Sequence, residues 1–157
     1  MNPIDEKLQA LNISLPEASA PAANYVSYTR TGNLVFIAGQ TSVRADGTML
    51  TGRLGEDLTL EEGQLAARLC GLRLIAQMKA ACDGDLSRVV KIVKLGGFVC
   101  SLPQSSGGDI PQIINGCSNL MVEVFGEIGK HARFAVGSPS LPRDAAVEID
   151  AIVEIRD

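Results

Sequence analysis

Val147-Glu148-Ile149-Asp150-Ala151-Ile152-Val153-Glu154-Ile155 sets Val147, Ile149, Ala151, Val153 and Ile155 against Glu148, Asp150 and Glu154. A period of two is the signature of a strand with one buried and one open face. Its apolar character begins at Ala146, and a second strand is expected at 131–136. Arg133 stands in that upstream strand and Glu148 in the final one. If the two pair across the 137–144 connection, a guanidinium and a carboxylate come close together. An arginine fork holds a small carboxylate with two parallel hydrogen bonds, and a nearby glutamate positions or activates water. A structural ion pair, within the chain or across a subunit boundary, is the more ordinary explanation of the same two residues.

Outward from this stretch, the chain reads as alternating strands and helices. Residues 109–125 form a helix with Asp109 as cap and Pro111 in its first turn. Its apolar face is Ile113, Cys117, Leu120 and Val124, and 126–129 closes it. Residues 89–95 are β-branched and strand-like, and Gly96-Gly97 marks a bulge, a site-lining turn or a close backbone approach. Thr59-Leu60-Glu61-Glu62 is a capping box. The helix behind it carries Leu65, Leu69, Leu72 and Ala76 as its apolar face and ends at Asp83-Gly84. Arg68, Arg73 and Lys79 fall on its solvent side. Earlier still, 25–30 and 34–39 make a hairpin about Thr31-Gly32-Asn33, and a Gly-rich loop runs over 41–57. The expectation is one α+β domain over 1–157, with an N-terminal extension at 1–23. Its order is β-β-α-β-α-β-β, with two helices on one face of a mixed sheet. The other face, with Val26, Val35 and Val93, is left apolar and uncovered, which calls for a second copy of the chain.

Composition narrows the function. The chain has 157 residues, 46% hydrophobic and 20% charged, enough for a core without staples and too apolar for disorder. Charges interrupt every apolar stretch before it reaches membrane-spanning length. The opening Met1-Asn2-Pro3-Ile4-Asp5-Glu6 lacks the pattern of a secretory signal, so a cytoplasmic protein with no membrane partner is expected. The net charge is -4, with two Tyr, four Phe and no Trp, which disfavours a nucleic-acid partner. Cys70, Cys82, Cys100 and Cys117 form no CxxC pair, and His131 is the only histidine. No metal site is expected, and the thiols read as buried. His131 itself reads as a partly exposed edge residue.

Three segments together resemble the YjgF/YER057c/UK114 family, the reactive intermediate deaminases that are also labelled endoribonucleases. They are Asn33-Leu34-Val35-Phe36-Ile37-Ala38-Gly39-Gln40, Ala132-Arg133-Phe134-Ala135-Val136-Gly137 with Leu141-Pro142, and Val147-Glu148-Ile149-Asp150-Ala151-Ile152. The Arg133 to Leu141-Pro142 and Arg133 to Glu148 intervals fit the family's closing signature without a gap. The Ile114–Leu120 and Val122–Gly126 segments look like a longer branch of it. The resemblance implies a chorismate-mutase-like fold, a homotrimer with clefts between subunits, and hydrolysis of 2-enamine and 2-imine acids to 2-oxo acids and ammonia. On that pattern Arg133 holds the substrate carboxylate and Glu148 positions water. Tyr25, Ala38, Gly39 and Ala135 line the cleft, and no cofactor is needed. Ala135 stands where many family deaminases carry cysteine, and the loop at 101–110 is longer than theirs. The alternative on the same fold is a non-catalytic binder or sensor of small carboxylates.

Overall fold

Nine-residue alternation at the C-terminus becomes the centre of the sheet. The computed structural model describes residues 1–104 and 108–157. Its helices are α1 (Pro3–Ala10), α2 (Leu60–Ala81) and α3 (Asp109–Phe125). Its strands are β1 (Tyr28–Thr31), β2 (Leu34–Thr41), β3 (Val89–Cys100), β4 (Ala132–Ser138) and β5 (Val147–Ile155). They form one sheet in the order β1-β2-β5-β3-β4, antiparallel except for the β3–β4 pair. β5 has partners on both sides and buries Val147, Ile149, Ala151, Val153 and Ile155 against the helices. This is the expected α+β architecture, with α2 and α3 on one face.

β4 and β5 are not neighbours. β3 lies between them, because β4 continues from α3 as a parallel partner of β3, while β5 crosses back into the middle. The cross-strand meeting of Arg133 and Glu148 within one chain therefore does not occur.

Several local expectations shift. Val35 is buried, not on the open face, since it pairs with Val153 on the helix side. The buried residues of α2 include Ala67, Cys70, Leu74 and Met78 with Gly63 and Gly71; Ala76 is buried as expected, while Leu65 is exposed. α2 packs against both the sheet and α3, so small residues that permit close approach share its inner side with bulky Leu74, Ile75 and Met78. Gly116 of α3 sits directly on the Gln64 backbone of α2 at that crossing, leaving no room for a Cβ. The capping box holds, with Thr59 Oγ1 accepting from the Glu62 amide at 3.1 Å. The cap of α3 is Gly108, and Asp109 is already helical. Gly96 and Gly97 lie in regular register and serve packing: a Cβ on Gly97 would meet Ile114 Cδ1 at 2.7 Å. Within the longer loop, 105–107 lie outside the described residues.

The core is a single cluster that includes Leu74, Ile113 and Ile149, each fully buried and each contributing about 2 kcal/mol of burial. The opposite face of the sheet exposes Phe36, Phe98 and Phe134 at 38% each and Val136 at 42%. Phe98 and Phe134 meet edge to face at 5.5 Å, with the Lys94 ammonium 5.6 Å from the Phe134 ring. That is an apolar patch at the middle of an open sheet, where monomers seldom leave one. Among the described residues no helix is long and apolar enough to cross a membrane.

Candidate functional site

The register of β2 against β5 slips between Ile37 and Gln40. Ala38 and Gly39 form this irregularity, which turns the backbone of β2 toward Glu148. Glu148 lies on the open face, opposite Thr41 and Phe98. Its carboxylate rests over Gly39: a Cβ there would stand 2.6 Å from Oε1. Glycine is thus required by proximity, not by backbone angle. Among the described residues no hydrogen bond or ion pair engages this carboxylate. Burial raises its pKa above the usual glutamate value of 4.5, and the neighbouring Asp150 charge adds to the effect.

Around Glu148 lies a cleft of about 340 Å³. Tyr25, Ala38 and Gly39 line it, together with Arg73 and Arg143. Its outer wall is the connector at 19–27, which is fastened at Ser19. Gln77 Nε2 donates to the Ser19 carbonyl at 2.9 Å, and Ser27 Oγ donates to the same oxygen at 2.8 Å. Arg73 Nη2 donates to Ser19 Oγ at 3.0 Å. Tyr25 is not in a strand but in the bend just before β1, with its amide donating to the Ala23 carbonyl. Arg73 is half-buried in the cleft wall, not on the solvent side of α2, because the connector closes over that flank of the helix.

Arg133 and Ala135 are elsewhere. Arg133 pairs in register with buried Leu95, on the helix side of edge strand β4. Its Nη1 donates to Ser118 Oγ at 3.0 Å and its Nη2 to the Pro111 carbonyl at 3.3 Å, both on α3. Ala135 packs on the same side. Arg133 and Glu148 therefore occupy opposite faces of the sheet.

Ser118 carries a second bond that no spacing in the sequence signals. His131 Nδ1 faces the Gly129 carbonyl at 2.7 Å, and a carbonyl only accepts, so Nδ1 holds the ring proton. Nε2 then accepts the Ser118 hydroxyl at 2.9 Å. Burial lowers the His131 pKa, and the Arg133 charge lowers it further against the opposing Gly129 bond. A neutral imidazole thus orients a hydroxyl, and the hydroxyl orients Arg133. Asn119 of α3 lies beside Arg68 and Glu123, away from the Glu148 cleft. Among the described residues no group of three or more His, Cys, Asp or Glu could hold a metal ion.

This fold and arrangement have known counterparts. A profile of YjgF/chorismate-mutase-like proteins, whose description also carries an endoribonuclease label, matches residues 5–155. The chain belongs to this family. Protein TCP17 of Trypanosoma cruzi is 49% identical over 151 residues, which is 96% of this chain and 92% of that protein. The crystal structure of Atu1372 from Agrobacterium tumefaciens is 45% identical with a TM-score of 0.88, covering 98% of this chain and 94% of that one. A more distant relative is a 2-iminobutanoate/2-iminopropanoate deaminase of Dermatophagoides farinae. It is 29% identical over 144 residues, 91% of this chain and 94% of its own.

Proposed function

We propose that the protein hydrolyses 2-imino and 2-enamino acids to 2-oxo acids and ammonia, in clefts that two chains of a homotrimer build together. The observation that carries this reading is the half-buried Glu148 carboxylate, set over Gly39 in the cleft and engaged by no hydrogen bond or ion pair among the described residues. Arg133 stands on an edge strand, and the exposed Phe36, Phe98, Phe134 and Val136 give neighbouring copies a reason to assemble over the open face. A neighbouring copy would then bring its own Arg133 to the rim of the Glu148 cleft.

Arg133 holds the α-carboxylate and turns the imine carbon toward Glu148. The Glu148 carboxylate accepts a proton from water as the water oxygen adds to that carbon, and the imine nitrogen takes up a proton. The proton held on Glu148 then passes to the nitrogen; as the C–N bond breaks, ammonia leaves and the adduct's hydroxyl gives its proton back to solvent, leaving a carbonyl. An enamine enters the same route after taking a proton at carbon to become the imine. The carbon is already electrophilic, so orientation and charge are what the protein supplies. The name of the mite relative supports this reaction class. The endoribonuclease label fits less well, because the chain's one imidazole is committed to Ser118 and Gly129.

The test uses imines generated in place by an amino-acid oxidase, with 2-oxo acid and ammonia followed over the uncatalysed rate. Wild type is expected to accelerate release. Glu148→Gln should lose about 10²–10⁴-fold in kcat, the usual worth of a general base, and Arg133→Ala should raise KM. Because Glu148 titrates above 4.5, the wild-type rate should fall on acidification before an ordinary glutamate would protonate. Stabilisation of the fold by 2-oxo acids with no turnover would reduce the protein to a binder.

A further inference from the structure

The Glu148 cleft holds two guanidinium groups that a monocarboxylic imine leaves without work. Arg73, on α2, spends three of its five N–H groups on the cleft wall: two on Thr41, at 2.9 Å to the carbonyl and 3.0 Å to Oγ1, and one on Ser19 Oγ. Among the described residues no acceptor takes up Nε–H or the second Nη2–H. Arg143 reaches the cleft from the turn after Pro142. There, two successive non-glycine residues, Arg143 at φ 56° and Asp144 at φ 59°, adopt the left-handed conformation. Among the described residues no hydrogen bond or ion pair engages the Arg143 side chain, and no carboxylate pairs with Arg73.

Glu148 does not balance these charges. Among the described residues it is the one carboxylate in the lining, and its affinity for protons is set by burial and Asp150 rather than by either arginine. Burial and the Arg143 charge both press on the Arg73 guanidinium, so the two cations feel each other across the cleft. Two like charges gathered in a partly desolvated cleft are costly until an anion joins them. In the proposed reaction the α-carboxylate is already taken by Arg133 of a neighbouring copy.

We infer that the cleft selects 2-imino acids that carry a second carboxylate on the side chain, and that Arg73 and Arg143 clamp that second group. This rests on the deaminase reading of the same cleft. The fork geometry of arginine suits a planar carboxylate. A volume of about 340 Å³ lies at the small end of the range of small-molecule sites and suits a short dicarboxylic skeleton. The reaction that supplies such a substrate is the two-electron oxidation of an acidic α-amino acid at its C–N bond.

The test compares two four-carbon imines made by flavin oxidases with catalase present, one from aspartate and one from 2-aminobutanoate. Hydrolysis is measured with the full chain and with Arg143→Gln and Arg73→Gln. In wild type, kcat/KM is expected to favour the aspartate-derived imine at least tenfold, and each substitution should bring the ratio toward one. Calorimetry of the corresponding products, oxaloacetate and 2-oxobutanoate, reads the same preference without turnover and checks each variant's fold. If the 2-aminobutanoate imine is hydrolysed as well as the aspartate one, the clamp is overturned and the deaminase reading stands. If neither imine is hydrolysed but oxaloacetate binds more tightly in an Arg143-dependent way, the clamp stands and the deaminase reading falls. A preference that survives both substitutions also overturns the clamp.

Discussion

At Gly39 the absence of a side chain is what lets a carboxylate sit where it does. A methyl group there would meet Glu148 Oε1 at 2.6 Å, Cδ at 3.1 Å and Cγ at 3.2 Å, all of them atoms of one movable side chain. Gly39→Ala should therefore fold normally yet push the carboxylate aside, and a misplacement near 1 Å costs about a hundredfold in rate. Equal melting temperatures with collapsed kcat/KM would bear this out; unchanged turnover would mean that Glu148 is not held by its contact with β2. Glu148 and Gly39 were legible in the sequence because a contiguous motif carries each. Arg73 was not, because helical periodicity gives a residue's direction but not which loop will fold over it.

Elements set the orientation of Arg133. α3 presents Ser118 toward β4, and the residue just ahead of β4, His131, locks the hydroxyl from the other side. Ser118→Ala removes one acceptor worth about 1 kcal/mol, or roughly fivefold, and the effect should fall on KM more than on kcat. The pH dependence has a definite sign. His131 has a folded pKa below its unfolded 6.5, so its contribution to stability is complete above 6.5 and disappears as pH falls through the lowered value. Protonated Nε2 can no longer accept from Ser118. Steady-state kinetics should show an acid-side rise in KM for wild type that is absent from Ser118→Ala; the same rise in both would remove His131 from the positioning of Arg133. The sequence did reveal the elements themselves, since alternation and capping are local signals. Their neighbour relations were not local: nothing in residues 131–155 announces that β3 will come between β4 and β5.

On the scale of the whole molecule, the separation of Arg133 from Glu148 is the most consequential fact. If each cleft draws the arginine from one copy and the carboxylate from the next, two inactive variants should rescue each other. Arg133→Ala and Glu148→Gln chains, unfolded together and refolded at equal amounts, should regain about a quarter of wild-type activity, the chance that a cyclic boundary joins the two intact partners. Activity that stays at the level of the separate variants would place both groups in one chain. The uncovered face was legible as a principle, since two helices cannot cover both sides of a sheet. Which residues would occupy it was not. Val35 turned inward, and Phe36, Phe98 and Phe134 stand there instead.

The thiols carry a different consequence. Cys70 and Cys117 lie between α2, α3 and the sheet with no exposed surface. Burial raises both thiols, Cys117 to about 12 and Cys70 well above its ordinary range. A thiolate is the reactive form, so neither sulfur can be alkylated or oxidised while the helices are in place. Modification of either one becomes a clock for opening of the helical layer, an internal timer that needs no added label.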